Sequence, residues 1–161
     1  KTTWCLSLSV SASSLGLGVA GLVSPAVFNN GEKTGIDLLD LQTGARKSLA
    51  VRSPQPINGL MWNFDDATLR WGDEVLKQIS VPQIFILDEL GPLEFQRGLG
   101  LTHGFEIIAA RRYRLACVVV RPSLLPLAME RWSWAHILDT NYALICSRIK
   151  LCNRRARVSR L

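Results

Sequence analysis

The sequence contains few of the side chains that bind transition metals or build a disulfide framework. It has two histidines and four cysteines among 161 residues. The cysteines form no C-x-x-C pair, and neither histidine has a cysteine or aspartate at the spacing of a zinc site. These residues are Cys5, Cys117, Cys146, Cys152, His103 and His136. We therefore assign no metal to either histidine and expect reduced, structural thiols.

The sequence also lacks the run of about 20 apolar residues that a membrane-spanning helix needs. Its 48% hydrophobic content excludes an extended disordered chain. The first residues resemble a signal peptide in composition, but they lead directly into a Gly16-Leu-Gly18 turn and a strand, which favours a folded segment. We expect a soluble, cytoplasmic protein that folds as one domain over residues 1–161, with no membrane partner.

Acidic residues are outnumbered, and the net charge is +6. Much of the excess lies in a basic C-terminal tail of about residues 148–161. Such a run can bind a phosphate backbone or an anionic surface. No aromatic residues are interleaved for base stacking, so a solvated helix end is the competing interpretation. Nucleic acid is therefore a candidate partner without further support.

The most informative stretch is an unbroken apolar run, Ile84 to Leu87, that ends on two adjacent acids, Asp88 and Glu89. The run shows no alternation, which predicts a strand buried on both faces. Ligands bind at the carboxyl ends of such strands. The pattern is that of a Walker B strand, in which Asp88 holds Mg²⁺ and Glu89 orients the attacking water. The alternative is that two acids merely end a strand in solvent.

The sequence opens with Lys1, Thr2 and Thr3, followed by apolar and small residues. This is how the last part of a phosphate-binding loop, G-x-x-x-x-G-K-[ST], continues into its helix. The glycine-rich half has no counterpart here, and three residues alone are a weak signal. A fragment boundary that happens to leave these residues is the alternative. The acidic strand some eighty residues later adds weight, because phosphoryl chemistry needs a lysine, a hydroxyl and a second-strand acid.

The remaining pattern alternates helices with strands, which predicts an α/β fold with parallel strands and right-handed crossovers. Turn signals in residues 26–51 predict an antiparallel hairpin insertion. The other predicted elements are a helix over 2–15, a strand over 19–25, a loop over 53–60, a helix over 65–79, a glycine-rich connection over 91–100, a helix over 101–113, a strand over 115–120, a short helix over 123–131, a strand over 136–139 and a final helix over 141–155.

Four stretches, in this order and spacing, resemble the small P-loop nucleoside-triphosphatases related to cancer-related nucleoside-triphosphatase. The stretches are residues 1–3, 21–25, 35–44 and 87–94, and the resemblance extends to about residue 125. It implies a RecA-like parallel sheet flanked by helices and Mg²⁺-dependent hydrolysis of several nucleoside triphosphates, ATP and GTP included. The family's first strand and glycine loop are missing from the sequence. We therefore expect a chain without its start, which binds and hydrolyses nucleotide poorly by itself.

The roles that follow place Lys1 on the outer phosphates as a catalytic and nucleotide-binding residue. Thr2 would ligate Mg²⁺ through its hydroxyl and bind nucleotide, or would only cap the helix. Thr3 is a further nucleotide-binding candidate. Asp88 is the metal ligand and Glu89 the catalytic residue that orients water.

Four further polar residues have less definite roles. Arg121 ends a buried strand, where it would bind the γ-phosphate of the nucleotide or pair with a surface acid. Glu94 would fasten the Gly91-Pro92 turn rather than contact the metal's water shell. Asp37 and Asp40 are expected to shape turns of the hairpin insertion and to face solvent, and the resemblance leaves a role beside the substrate as the alternative.

The sequence favours a nucleoside-triphosphate hydrolase. The alternative from a different class is a non-catalytic nucleotide- or nucleic-acid-binding module that uses the same sheet and the basic tail. A nucleotide kinase is less favoured, because Glu89 beside Asp88 suits water as the nucleophile and no arginine-rich lid is evident.

Overall fold

The computed structural model describes residues 1–57, 60–139 and 143–148. The described helices are α1 (Thr2–Ser14), α2 (Asp66–Gln78), α3 (Pro92–Arg97), α4 (His103–Ala110) and α5 (Leu125–Arg131), with a 3-10 turn at Pro122–Leu124. The described strands are β1 (Val19–Val23), β2 (Ala26–Asn29), β3 (Glu32–Asp40), β4 (Arg46–Ile57), β5 (Leu60–Phe64), β6 (Ile84–Leu90), β7 (Leu115–Val120), β8 (His136–Asp139) and β9 (Ala143–Arg148). None of the described helices is long and apolar enough to cross a membrane.

All of the described strands belong to one mixed sheet in the order β5-β4-β3-β1-β6-β7-β9-β8, with β2 paired to β3. Its centre is parallel, because β6 lies between β1 and β7 and runs in the same direction as both. The hairpin strands β2 to β5 extend the β1 side in antiparallel fashion. The predicted α/β sheet with an antiparallel insertion is therefore confirmed.

Strand β6 contributes side chains to both hydrophobic clusters of the core, one on each face of the sheet. Its apolar residues are buried, as the unbroken run predicted, yet they alternate between two clusters. Ile84 and Ile86 pack with α1, whereas Phe85 and Leu87 pack with residues of α2 and α4. Helix α1 thus covers one face of the sheet, and helices α2 and α4 cover the other.

A glycine allows β1 to lie beside β6. Gly21 is paired with Ile86 and has a φ of 125°. A Cβ at this position would overlap the Ile86 carbonyl oxygen, and an L side chain rarely adopts that φ. The parallel pairing of β1 and β6 therefore requires glycine at position 21.

The predicted loop over 53–60 is wrong for most of its length, because β4 continues to Ile57 and β5 begins at Leu60. The paired register of β4 with β3 extends only to Val51, and beyond that residue β4 pairs with β5 alone. Proline lacks an N–H, so a strand tolerates it where one edge is unpaired. Pro54 and Pro56 therefore do not end the strand.

Two further predictions need correction. The connection over 91–100 contains α3, which begins with Pro92 directly after its Gly91 N-cap. The final helix over 141–155 is wrong at Ala143–Arg148, which form β9 antiparallel to β7. The far edge of β7 offers unpaired backbone groups, and satisfying them outweighs local preference. The sheet is consequently not parallel throughout, and the basic tail from residue 149 onward lies outside the described residues.

Candidate functional site

The carboxyl ends of β1, β6 and β7 meet the first turn of α1 at one edge of the sheet. The two acids, Asp88 and Glu89, lie at this point on β6. The pairing of β6 with β7 shifts register between Leu87 and Leu90, so the acids occupy a β-bulge. Bulges redirect side chains next to functional sites. The edge therefore gathers the predicted site from four separate elements.

Asp88 is directed to the α1 side of the sheet and is 1% exposed. Its Oδ2 accepts a hydrogen bond from the Ser24 backbone N–H at 3.3 Å. Burial raises the pKa of Asp88, while the interactions with the Thr2 side chain and the Ser24 N–H act in the opposite direction. The neighbouring Glu89 raises this pKa further, and the amino group of residue 1 lowers it.

Helix α1 brings Thr2 to Asp88. Lys1 is the N-cap of α1, and Thr2 is its first helical residue. The helix packs its Cys5 and Ala12 side chains against β6, which fixes its first turn at the carboxyl end of that strand. The N-terminus of a helix carries partial positive charge and unpaired N–H groups, so it attracts anions. Lys1 and Thr2 are half-buried at this end, and Thr3 is exposed.

Glu89 has the opposite surroundings from its neighbour. Its side chain is 40% exposed, and its Oε1 lies 3.3 Å from Nη2 of Arg121 at the end of β7. Its φ is 74°, in the left-handed region that glutamate rarely occupies. Backbone strain of this kind costs about 1–3 kcal/mol and concentrates at functional sites. The structure thus brings Arg121 to Glu89 rather than to an acid remote from the site.

Ser24 is a site residue that the sequence reasoning missed. It is buried beyond the end of β1; its N–H contacts Asp88, and its hydroxyl donates to the Asp88 main-chain oxygen at 3.5 Å. The available signal was positional. A parallel β1 next to β6 must end at the same edge, so the polar residue that follows β1 reaches the site.

Glu94 has the structural role that was predicted. Its Oε2 accepts the Gly91 N–H at 2.8 Å, and its Oε1 accepts the Leu101 N–H at 3.2 Å. It therefore ties both ends of α3 to the turn after β6. Burial raises the pKa of Glu94, and these two hydrogen bonds and the charge of Arg121 oppose the rise.

The side chains of the two hairpin acids have partners within the hairpin insertion. Asp40 shapes its turn as predicted, since its Oδ1 accepts the Gln42 N–H at 2.9 Å. The expectation that it faces solvent is wrong, because it is 4% exposed. Tight turns need acceptors for their inward N–H groups, and a short carboxylate provides them. Asp37 forms an ion pair with Arg46 across the hairpin.

An open cleft of about 830 Å³ adjoins Glu89. Its site-side wall includes Ser24, Glu89 and Arg121. Its opposite wall is formed by the hairpin strands, with Trp62 and Phe64 among the lining residues. The cleft lies on the face of the sheet opposite α1, because Ile36, Leu49 and Leu101, which also line it, belong to the α2–α4 cluster.

No group of three or more histidine, cysteine, aspartate or glutamate side chains suited to a metal occurs in the described ranges. The buried Cys5 and Cys117 belong to the α1-side cluster. A cation at this edge would therefore be held by few protein oxygens, those of Thr2 and Asp88. Mg²⁺ is commonly bound in this way, by one or two carboxylates together with waters and substrate phosphates.

A parallel core with paired acids and a helix start at its carboxyl edge defines a protein of the P-loop α/β class. The solution structure of a human cancer-related nucleoside triphosphatase has the same fold: its TM-score is 0.60 at 18% identity, covering 81% of this chain and 78% of that one. The model of a family described as NTPase matches residues 1–119. The chain belongs to this NTPase family.

A named relative from an archaeon is similar over part of the sequence. Nucleoside-triphosphatase THEP1 of Methanopyrus kandleri is 29% identical over 97 residues, which cover 60% of this chain and 54% of the relative. This chain thus spans about half the length of that relative. Residues 1–119, which the family model matches, contain the first turn of α1, both acids and the whole of β6.

Proposed function

We propose that the protein hydrolyses nucleoside 5′-triphosphates to diphosphate and phosphate with Mg²⁺ as cofactor. The carrying observation is that the side chain of Thr2, at the start of α1, interacts with the buried Asp88, one residue from the Glu89–Arg121 pair. A hydroxyl at a helix start and a strand-end carboxylate are the protein ligands of Mg²⁺ in P-loop enzymes. The two similar proteins, from human and from Methanopyrus kandleri, are both named nucleoside triphosphatases, which supports the same activity.

The metal would be held by the Thr2 hydroxyl and the Asp88 carboxylate. Both are hard oxygen donors, the Thr2 side chain interacts with the Asp88 carboxylate, and the carboxylate is buried. A nearby cation favours the ionised form of a carboxylate, so binding would offset the effect of burial on Asp88. Bound Mg²⁺ supplies charge neutralisation between the outer phosphates.

The phosphates would lie at the N-terminus of α1. Lys1 is the N-cap of the helix, so its side chain emerges where the helix presents unpaired N–H groups. Lysine acts there as a point charge on the outer phosphates, and Thr3 lies one residue further along the same turn. This placement puts the terminal phosphate between α1 and the end of β6.

Glu89 would orient and deprotonate the attacking water. Its carboxylate is solvent-accessible and is held by Arg121, so it can accept a proton while keeping a fixed direction. Arg121 in turn is close enough to the same edge to bind the γ-phosphate in the transition state. In this proposal the two neighbouring acids have different tasks: Asp88 holds the metal, and Glu89 orients the water.

The test measures phosphate release by the full-length protein that contains these residues, from ATP, GTP, CTP and UTP, with Mg²⁺ or with EDTA. We expect release from all four nucleotides and its loss in EDTA. Thr2→Val removes the hydroxyl and should lower Mg²⁺-dependent turnover by about 10²-fold. Thr34→Val is the matched control, because Thr34 is a half-buried hairpin residue that does not line the cleft and its hydroxyl bonds to the Val27 main-chain oxygen. Equal turnover in the two variants, or full activity in EDTA, would contradict the proposal.

A further inference from the structure

The cleft beside Glu89 is larger than a hydrolytic water requires. Its volume of about 830 Å³ falls within the range of about 300–1,000 Å³ that is usual for small-molecule sites. It begins at Glu89 and Arg121 and extends to the aromatic side chains of Trp62 and Phe64. Phe64 is 47% exposed, so its ring is accessible from the cleft.

The position of the cleft relates it to the nucleophile rather than to the leaving group. Lys1, Thr2 and Asp88 lie on the α1 face of the sheet, whereas the cleft lies on the opposite face. In phosphoryl transfer the attacking and leaving oxygens are roughly in line. With the diphosphate at α1, as the proposed function has it, the attacking oxygen approaches from the side of Glu89. That side is the cleft.

The lining indicates the chemical class of the occupant. Phe64 offers an exposed aromatic ring on which a planar ring can stack, and Lys33 lies over the nearby Trp62 ring, with its Nζ 4.9 Å from the ring centroid. Glu89 at the inner end can accept a proton from a hydroxyl group. A molecule with a planar ring and a hydroxyl group satisfies both ends.

We propose that this cleft binds a nucleoside as a second substrate, whose hydroxyl group receives the γ-phosphoryl group. This proposal rests on the proposed triphosphate site. The nucleoside oxygen forms a bond to the γ-phosphorus as the bond between that phosphorus and the β,γ-bridging oxygen breaks. The bridging oxygen keeps the electron pair and leaves with the nucleoside diphosphate. The hydroxyl proton passes to the Glu89 carboxylate, and the product is a nucleoside monophosphate.

The first experiment supplies ATP labelled in the γ-phosphate together with adenosine, cytidine, guanosine or uridine, each up to millimolar concentration, using the full-length protein. We expect labelled nucleoside monophosphate in addition to labelled phosphate. Phe64→Ala should raise the KM for the nucleoside about tenfold or more, because stacking on one aromatic ring is removed. Phe28→Ala is the matched control, since Phe28 is 64% exposed and lies outside the cleft. It should change neither product.

The second experiment measures nucleoside binding by equilibrium dialysis with and without a non-hydrolysable ATP analogue, so it needs no turnover. We expect simultaneous binding of both, weakened by Phe64→Ala and not by Phe28→Ala. Labelled phosphate with no labelled nucleoside monophosphate would overturn this inference and leave the hydrolase proposal intact. Competition between nucleoside and analogue would also overturn it, because the cleft would then hold the base of the triphosphate. If no triphosphate is hydrolysed or bound, the proposed function fails, and Phe64-dependent nucleoside binding alone then decides whether the cleft is a nucleoside site.

Discussion

Asp88 and Glu89 are neighbours in sequence, yet they occupy opposite environments. Asp88 is buried on the α1 face of the sheet, where its carboxylate accepts the Ser24 N–H and interacts with the Thr2 side chain. Glu89 is largely exposed on the cleft side and is paired with Arg121. A regular strand also directs successive side chains to opposite faces. The proposed function gives the two acids different tasks, metal binding and water orientation. Their different environments mean that only one of the two carboxylates is buried.

The difference depends on backbone geometry as much as on side-chain type. The bulge at this point leaves the two acids outside the regular ladder with β7. The φ of 74° at Glu89 costs free energy that the surrounding packing must offset. Repulsion between the two carboxylates, which raises the pKa of Asp88, is smaller when one of them is solvated and paired with arginine.

The largest expected effect is that of Asp88→Ala. We expect Mg²⁺-nucleotide affinity to fall by about 100-fold or more, with a matching loss of turnover, since even outer-shell partners of a metal cost about 10–100-fold. Nucleotide titrations with and without Mg²⁺ measure this effect. Circular dichroism checks that the variant folds, because Ser24 and Thr2 lose an acceptor. Unchanged Mg²⁺-nucleotide affinity in the folded variant would remove Asp88 from the metal site.

Glu89→Gln sharpens the contrast, because it should separate rate from affinity. We expect nucleotide affinity close to that of the parent and a turnover about 10²–10⁴-fold lower, which is the usual contribution of a group that accepts a proton in the transition state. Steady-state phosphate release and nucleotide titration on the same preparation measure both quantities. Turnover within a factor of two of the parent would exclude the catalytic role of Glu89.

Two other substitutions at Glu89 isolate the backbone strain. Glu89→Gly should unfold at a higher temperature than Glu89→Ala, since both lack the carboxylate and only glycine accepts a φ of 74° without penalty. We expect a difference of about 1 kcal/mol, which corresponds to about 2–4 °C for a domain of this size. Thermal melts followed by circular dichroism provide the measurement. Equal melting temperatures would mean that the bulge stores no strain at this residue.

The smallest effect concerns the buried Glu94 and its pH dependence. Burial raises the pKa of Glu94 above 4.5, so the folded protein binds this proton more tightly than the unfolded chain does. The resulting stability is complete below pH 4.5 and declines as the pH rises through the raised pKa. The free energy of unfolding of the parent minus that of Glu94→Gln should therefore fall as the pH rises from 4 to 7.

Urea unfolding at several pH values tests this prediction. Glu130→Gln, at an exposed position of α5, controls for the loss of one negative charge. The Glu94 carboxylate uses both oxygens as acceptors, so the glutamine variant also loses one hydrogen bond at every pH. That loss shifts the whole curve by about 1–3 kcal/mol but does not change its slope. Parallel curves for the two variants would contradict a raised pKa at Glu94.

Local patterns were enough to predict much of the fold. The apolar run of β6 indicated a doubly buried strand, and the acids at positions 65 and 66 indicated the start of α2. Asp65 does cap that helix, accepting the Ala67 and Thr68 N–H groups. The predictions failed where pairing with distant residues decides the structure. Strand β9 forms because it pairs with β7. Strand β4 continues through two prolines, because its regular pairing with β5 is interrupted between Arg52 and Ile57.

The candidate site divides in the same way. The types and order of its residues could be predicted from the sequence, because Mg²⁺ and phosphate chemistry require a lysine, a hydroxyl and strand-end acids. The contacts between these residues could not be predicted. Ser24 reaches Asp88 across 64 positions of sequence, and Arg121 reaches Glu89 across 32. Such pairings can be predicted from a single sequence only after the order of the strands in the sheet is known.

The sequence by itself determined the α/β class, the strand that ends on two acids and the helix that starts at a lysine and a threonine, because these follow from local periodicity and residue chemistry. Only the tertiary structure decided that Asp88 is buried against α1 and that Glu89 opens to a cleft. The burial of Asp88 depends on α1 and on Ser24, and the cleft beside Glu89 is formed by the hairpin strands and the end of β7. These elements are distant from β6 in sequence, so only their packing against it brings them together.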